Sequence, residues 1–321
     1  LATKDRIIVV DPMGEYAPLV RRLGGQVIEI APDSPHHISP MELQMNSNDE
    51  ESPLSLKADF LLSLCELVVG GKDGLQPIEK TVIDRCVRLV YRDIALGLET
   101  AKMPVLQDLY EMLCQQPEPE AKRIATALEL YCTGSLNLFN FPTNVDLNSR
   151  VTCFVLKNLG ENLRKIAMHI TNEFVTSAVN TNFQNGVATW CYFDEFHVLL
   201  RDSLTASYFV SVWKMLRKKG CVPSALTQNV KDLMASREVE NILENTDFMV
   251  LLSQAQGDRA ILAKQLGISP HQLSYITQSN SGEGLLFYGN TTIPVVDHFP
   301  QDTEIYRLLT TRPEDLKNEA E

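Results

Sequence analysis

The sequence predicts an α/β fold: a mostly parallel sheet with helices on both faces, plus an all-α insert. Three observations predict it. Short apolar runs of strand length alternate with helical stretches, the pattern of a parallel sheet. Several of these runs are apolar throughout, as strands covered on both faces are. Between the second and third runs, residues 54–133 carry helical periodicity alone.

Composition sets the bounds. The chain has 321 residues, 44% of them hydrophobic, which is ample for a large core. Net charge is -12 and the pI is about 5.0. A broad electrostatic grip on nucleic acid needs clustered Lys and Arg, so that class is disfavoured, although a local basic patch stays open. The seven cysteines are scattered and form no CxxC. They read as reduced core thiols of a cytosolic protein. No apolar run approaches the ~20 residues of a membrane helix, residue 1 opens no signal peptide, and no internal repeat is present.

Taken in order, residues 1–4 read as the tail of a helix that starts before residue 1. Residues 6–10 are a buried strand, and Asp11-Pro12-Met13-Gly14-Glu15-Tyr16 follows it. Pro12 stops the strand and Gly14 permits a tight turn. Residues 17–23 form a helix and 27–30 a second strand. Residues 33–53 are polar and Pro-rich. His36-His37 lack the i, i+4 spacing of a helical metal pair, and the acidic run at 49–51 reads as a solvated loop. In the helical stretch, Leu56, Phe60, Leu64 and Leu67 share one face, and Pro77 opens the next helix. Val105, Leu109 and Leu113 mark a third, and Ile124, Leu128 and Tyr131 a fourth. Gly70-Gly71-Lys72 is no phosphate loop, because GxxxxGK[ST] is absent and no strand precedes it.

Alternation resumes at Leu136. Residues 151–156 are a strand, 161–179 a helix and 188–195 an apolar run ending in Asp194-Glu195. Residues 203–219 are a helix, 222–226 a strand ending in Thr227-Gln228-Asn229, and 248–252 one more strand followed by Ser253-Gln254. Two short helices follow at 258–266 and 270–276. Gly282-Glu283-Gly284 then leads into a hairpin of 285–288 and 293–296 around Gly289-Asn290. The charged tail from Pro313 is expected to fray. The resulting division is a first core part at 1–45, an insert at 46–135, a second core part at 136–312 and a tail at 313–321.

Chemistry in open α/β sheets gathers at the carboxyl ends of the strands. Polar groups recur there: Asp11 and Glu15, Asp194 and Glu195, Thr227 and Gln228, Ser253 and Gln254. Four such groups on one sheet edge suggest a single polar site. An apolar strand ending in two acids is the Walker B pattern of nucleotide hydrolases. There an Asp holds Mg²⁺ through water and the next Glu polarises an attacking water. Each residue also has a plainer reading. The acid pair suits a helix start, Asp11 and Glu15 suit turn and cap chemistry, and Asn229 suits a cap beside a passive Gln228.

The ordered set DPMGEY at 11–16, FPTNVDL at 141–147, YFDEFH at 192–197, RKKG at 217–220, TQN at 227–229 and GEGLL at 282–286 resembles the motor domain of the conjugative-transfer and type IV secretion ATPases. This is the TraC-like or "VirB-four" group, in the HerA/FtsK branch of RecA-like motors. The resemblance covers nearly the whole chain. It implies a RecA-like core, ATP and Mg²⁺ as cofactors, and a tendency to form hexamers. The implied place is the cytoplasm at the inner face of the membrane, bound to other subunits of a secretion or conjugation complex. It assigns Asp194 to Mg²⁺ and Glu195 to the catalytic base. Gln228 becomes the γ-phosphate sensor and Arg217 a finger acting across a subunit interface. Asp11, Glu15, Gln228, Gly282 and Gly284 are implied in nucleotide binding. Arg217 also reads as a basic helix end favoured by the dipole. The family's Walker A loop should lie one helix before Ile7, and these residues lack it. Two rivals stay open: a DNA-translocating motor or conjugation coupling protein of the same superfamily, and a non-catalytic docking module built on the helical block.

Overall fold

A computed structural model describes residues 4–43, 52–71, 73–147, 149–200, 203–228, 242–243, 246–254, 259–277 and 279–310. The expectations for residues 1–3, 49–51, Lys72, Asn229 and the tail at 313–321 fall outside them. The chain forms two compact units, Leu1–Leu226 and Thr227–Glu321.

In the first unit the order is β1 (Arg6–Asp11), α1 (Ala17–Arg22), β2 (Gln26–Glu29), then the helices α2 (Pro53–Val69), α3 (Pro77–Val90), α4 (Arg92–Ala95), α5 (Leu106–Cys114) and α6 (Pro119–Cys132). After them come β3 (Val151–Val155), α7 (Glu161–Gln184), β4 (Thr189–Phe193), α8 (Ser203–Lys218) and β5 (Cys221–Ala225). The strands make one five-stranded sheet in the order β2-β3-β1-β4-β5, and every pairing is parallel. All five strands therefore end at one edge, and β1 lies in the middle.

Apolar strands of this kind need cover on both faces. On one face α1 packs Ala17 and Val20 against Val9, Val151, Cys153 and Val155. On the other, Phe154 meets Phe174 of α7 edge-on at 6.0 Å, and Phe193 meets Phe209 of α8 at 5.5 Å. Trp190 is 38% and Val222 41% exposed, so the α1 face is less covered toward β4 and β5.

The helical block shares the compact unit of the sheet. Prolines begin α2, α3 and α6, where a missing N–H costs nothing. The short α4 interrupts a stretch read from the sequence as longer helices only. Along α2, Lys57 pairs with Glu173 of α7 at 3.1 Å, the Lys57 side chain being 6% exposed. Phe60 stacks on His169 at 5.0 Å. Ser63 Oγ donates to the Phe60 carbonyl, so His169 Nε2–H donates to Ser63 Oγ, at 2.6 Å. The Tyr91 hydroxyl reaches back to the Met41 carbonyl. These buried polar contacts fix how the block sits on α7. Of the seven cysteines, Cys114 on α5 is exposed and the other six are buried, all as free thiols.

The second unit holds β6 (Phe248–Leu252), α9 (Arg259–Leu266), α10 (Pro270–Thr277), β7 (Glu283–Tyr288), β8 (Thr291–Val296) and α11 (Glu304–Leu309). The hairpin of β7 and β8 turns at Gly289-Asn290, as expected. The strand at 248–252 corrects the sequence reading: it pairs antiparallel with β7 in a separate three-stranded sheet. An apolar run does not specify which neighbour it bonds or in which direction. Leu251, Leu262, Ile268, Ile276 and Leu285 form this unit's core.

Candidate active site

Asp11 ends β1 and is fully buried. Its carboxylate accepts the N–H groups of Gly14 at 2.6 Å, Glu15 at 3.1 Å and Tyr16 at 2.8 Å. Three charge-assisted bonds make burial of the charge tolerable. Gly14 has φ +80, and a Cβ there would press on Val155 Cγ1 at 3.3 Å. The turn chemistry thus accounts for Asp11. Its carboxylate is closed to solvent and engaged by these three amides. It shapes the turn that carries Glu15 and Tyr16.

Asp194 follows β4, and its amide donates to the Val10 carbonyl at 3.0 Å. This places the acid pair beside the end of β1. Glu195 has φ +47, the left-handed region that a non-glycine residue seldom occupies. Such a residue costs on the order of 1–3 kcal/mol and persists where its surroundings over-determine it. Here the Phe196 amide bonds the Leu226 carbonyl and the Val198 amide bonds the Glu195 carbonyl, each at 3.0 Å. Phe196 is buried against Phe209 at 5.0 Å and Trp213 at 5.4 Å. Backbone bonds and an aromatic anchor hold the turn.

The electrostatics tie these residues together. Burial pushes the Asp194 carboxyl up to about 6; the Glu195 amide opposes this, while the charges of Glu195, Asp11 and Glu15 add to it. Burial, then Asp194, Asp11 and Glu15, push the Tyr16 phenol up to about 12. The structure therefore brings Asp11, Glu15, Tyr16, Asp194 and Glu195 to one edge. Crowded carboxylates of this kind suit a hard divalent cation with oxygen ligands. Among the described residues no group of three or more His, Cys, Asp or Glu forms a metal cage. Mg²⁺ keeps several waters and takes one or two carboxylates plus phosphate oxygens.

The other expected residues stand as follows. Gln228 is exposed in a bend two residues past Leu226. Leu226 itself bonds Phe193 and Phe196, on either side of the acid pair. Arg217 is exposed in the last turn of α8, at the sheet edge opposite the acids. Gly282 and Gly284 have a backbone explanation. A Cβ would meet the Asp297 carbonyl oxygen at 2.0 Å and the Leu251 carbonyl oxygen at 2.1 Å, respectively. Gln254 bonds the Ile276 carbonyl by its amide, and Ser253 and Gln254 belong to the unit of the antiparallel sheet.

Sequence reasoning passed over two neighbours of the acids. His197 Nδ1 lies 3.1 Å from Glu195 Oε2. Lys157 follows β3, and its alkyl stem runs over Gly14. A lysine two residues past a strand in the same sheet was the available signal for Lys157. For His197 there was none, since residues two apart do not face each other in regular helix.

No family model matches the chain, and no curated protein matches it. Solved structures do. VirB4 of Thermoanaerobacter pseudethanolicus superposes with a TM-score of 0.78 at 21% identity, over 97% of this chain and 83% of that one. Plasmid coupling protein TrwB in complex with ADP and Mg²⁺ gives 0.51 at 13% identity, over 94% and 87%. TrwB with a non-hydrolysable ATP analogue gives 0.50 at 13%, over 94% and 88%. The chain has the fold of these proteins, which is the fold its motifs led us to expect.

Proposed function

We propose that this chain is the motor part of an ATPase of the VirB4 kind, which drives conjugative DNA transfer or type IV secretion by Mg-dependent ATP hydrolysis. The observation that carries the reading is the Asp194-Glu195 pair, held at the carboxyl end of β4 in a strained turn beside Asp11 and Glu15. The fold likeness to VirB4 supports it. TrwB, of the same fold, is known with ADP and Mg²⁺, which supports the same cofactors here.

In this reading Asp194 would hold Mg²⁺ through water, and a bound Mg²⁺ would supply charge neutralisation at the transferred phosphoryl group. Glu195 accepts a proton from the attacking water. Asp11 presents Glu15 and Tyr16 toward the site. Gln228 orients the water or senses the γ-phosphate. Gly282 and Gly284 are not carried into the site, because close backbone approach already explains them. No GxxxxGK[ST] phosphate cradle occurs in these 321 residues, and the reading needs one to bind the nucleotide's phosphates. Partners are other subunits of a membrane-embedded machine, with a homo-hexamer as the working form and the inner face of the membrane as the place. Among the described residues no helix is long and apolar enough to cross a membrane.

The test is Glu195→Gln in a chain that carries the phosphate loop. ATP binding should persist while turnover falls roughly 10²–10⁴-fold, the range for a positioned general base. Wild-type turnover in that variant would sink the assignment. Hydrolysis that depends on DNA and falls steeply with salt would move the function to DNA translocation.

A further inference from the structure

Glu195 and His197 are two residues apart, a spacing that keeps side chains from meeting in regular helix. They meet here because Glu195 has φ +47, which reverses the chain between them. The turn's backbone is pinned at three points: Asp194 N–H to Val10, Phe196 N–H to Leu226, and Val198 N–H to Glu195, each at 3.0 Å. That fixes Cα of Glu195 but leaves its three side-chain torsions. Among the described residues the side chain set against the carboxylate is His197, whose Nδ1 lies 3.1 Å from Oε2. The His197 side chain is 10% exposed and that of Glu195 is 22% exposed. A buried ring therefore grips a carboxylate that still reaches solvent.

We propose that His197 is the positioning residue of Glu195: its Nδ1–H fixes Oε2 and leaves the other carboxylate oxygen to accept the proton of a bound water. A carboxylate has no proton to give, so a hydrogen bond across this separation takes its hydrogen from the ring. His197 is thus the Nδ1–H tautomer in the resting protein. The proposal rests on the reading of Glu195 as general base, but its geometric half does not. The payoff of such a grip is orientation, and misplacing a reacting group by about 1 Å costs roughly 10² in rate.

Two measurements test it. The first needs no nucleotide. Imidazole ¹⁵N spectra of this chain, which has six histidines, are recorded for wild type, His197→Asn to assign the resonance, and Glu195→Ala. The wild-type His197 ring should be protonated at Nδ1, and Glu195→Ala should move it toward the Nε2–H form. A ring protonated only at Nε2, or one indifferent to Glu195→Ala, would overturn the proposal. The second uses a chain bearing the phosphate loop. His197→Ala should lose about 10–100-fold in kcat, with KM for ATP changed less than about threefold. An Asn amide nitrogen stands where Nδ1 stood and a Gln nitrogen where Nε2 stood. His197→Asn should therefore recover most of kcat and His197→Gln should not. Asn no better than Ala, with both variants folded by circular dichroism, would reduce His197 to a packing residue. Failure of the ATPase reading looks different: wild type would not turn over, or Glu195→Gln would be silent, while the tautomer result stood.

Discussion

The amide of Asp194 donates to the carbonyl of Val10 at 3.0 Å. One backbone bond thus sets the acid pair of β4 against the end of the strand that carries Asp11. The site is a product of sheet register, and the predictions below probe what that register holds in place.

Asp11 should be a stability residue. Asp11→Ala strands three partly buried N–H groups that now share one carboxylate. Charge-assisted bonds contribute about 1.5–3 kcal/mol each and do not add fully. We expect a loss of roughly 3 kcal/mol in urea unfolding. A loss below about 1 kcal/mol would show that the turn closes without it.

Two groups make stability depend on pH in opposite directions. Burial lowers His169 to about 4, with Glu173 opposing and Lys57 reinforcing. Between about 6.5 and 4 the unfolded chain holds a proton there that the folded chain refuses, so His169 removes stability as pH falls. At full effect this is about 3 kcal/mol. Asp194, raised to about 6, takes its proton earlier when folded and adds stability as pH falls through the same window. Being partly exposed, it should contribute only on the order of 1 kcal/mol after solvent screening. The difference between wild type and His169→Gln isolates the first term. Unfolding measured from pH 7 to 4.5 should show the gap shrinking or reversing toward acid, and parallel curves would contradict the His169 shift.

The Lys57–Glu173 pair should matter by what its loss leaves behind. Removing one partner of a buried pair costs about 3–5 kcal/mol, whereas replacing both with apolar groups is far milder. Lys57→Met alone should approach the lower figure, because Glu173 is 20% exposed and regains some water. Lys57→Met with Glu173→Leu should recover much of the loss. A double variant as unstable as the sum would mean the pair is not coupled. Deleting residues 54–133 strips this contact from α7, so circular dichroism and thermal melting of that deletion report how far the sheet stands alone.

Arg217 lies at the far edge of the sheet from the acids, so it can hardly serve its own subunit's phosphates. If a ring forms, it faces a neighbour. Arg217→Ala should keep nucleotide affinity and lose a large part of the roughly 10³–10⁵ that fingers supply. Mixing it with Glu195→Gln subunits should restore some hydrolysis, since some interfaces then pair an intact site with an intact arginine. Verified mixed rings without activity would leave Arg217 as a helix-end charge.

Much of this was legible in the residues. Apolar runs at 6–10, 151–156 and 188–193 read as strands, and their order located the acids. What stayed hidden depends on distant backbone. The 248–252 run looks like the others, and nothing in it names β7 as its antiparallel partner. Asp11 before a Pro-x-Gly turn suits a ligand or a staple equally well, and the three amides aimed at it are set by the turn's backbone, not by any residue type. The need for Gly284 arises from the Leu251 carbonyl, thirty-odd positions away in sequence. The His197–Glu195 contact arises from a φ angle that no residue type there announces.

With six thiols sealed in the interior, Cys114 is the one that a maleimide dye can reach in the native protein. It sits on α5, away from the acids. A fluorophore or spin label therefore goes to a single known address without removing any natural cysteine. A probe at that address reports on the helical block from within these 321 residues.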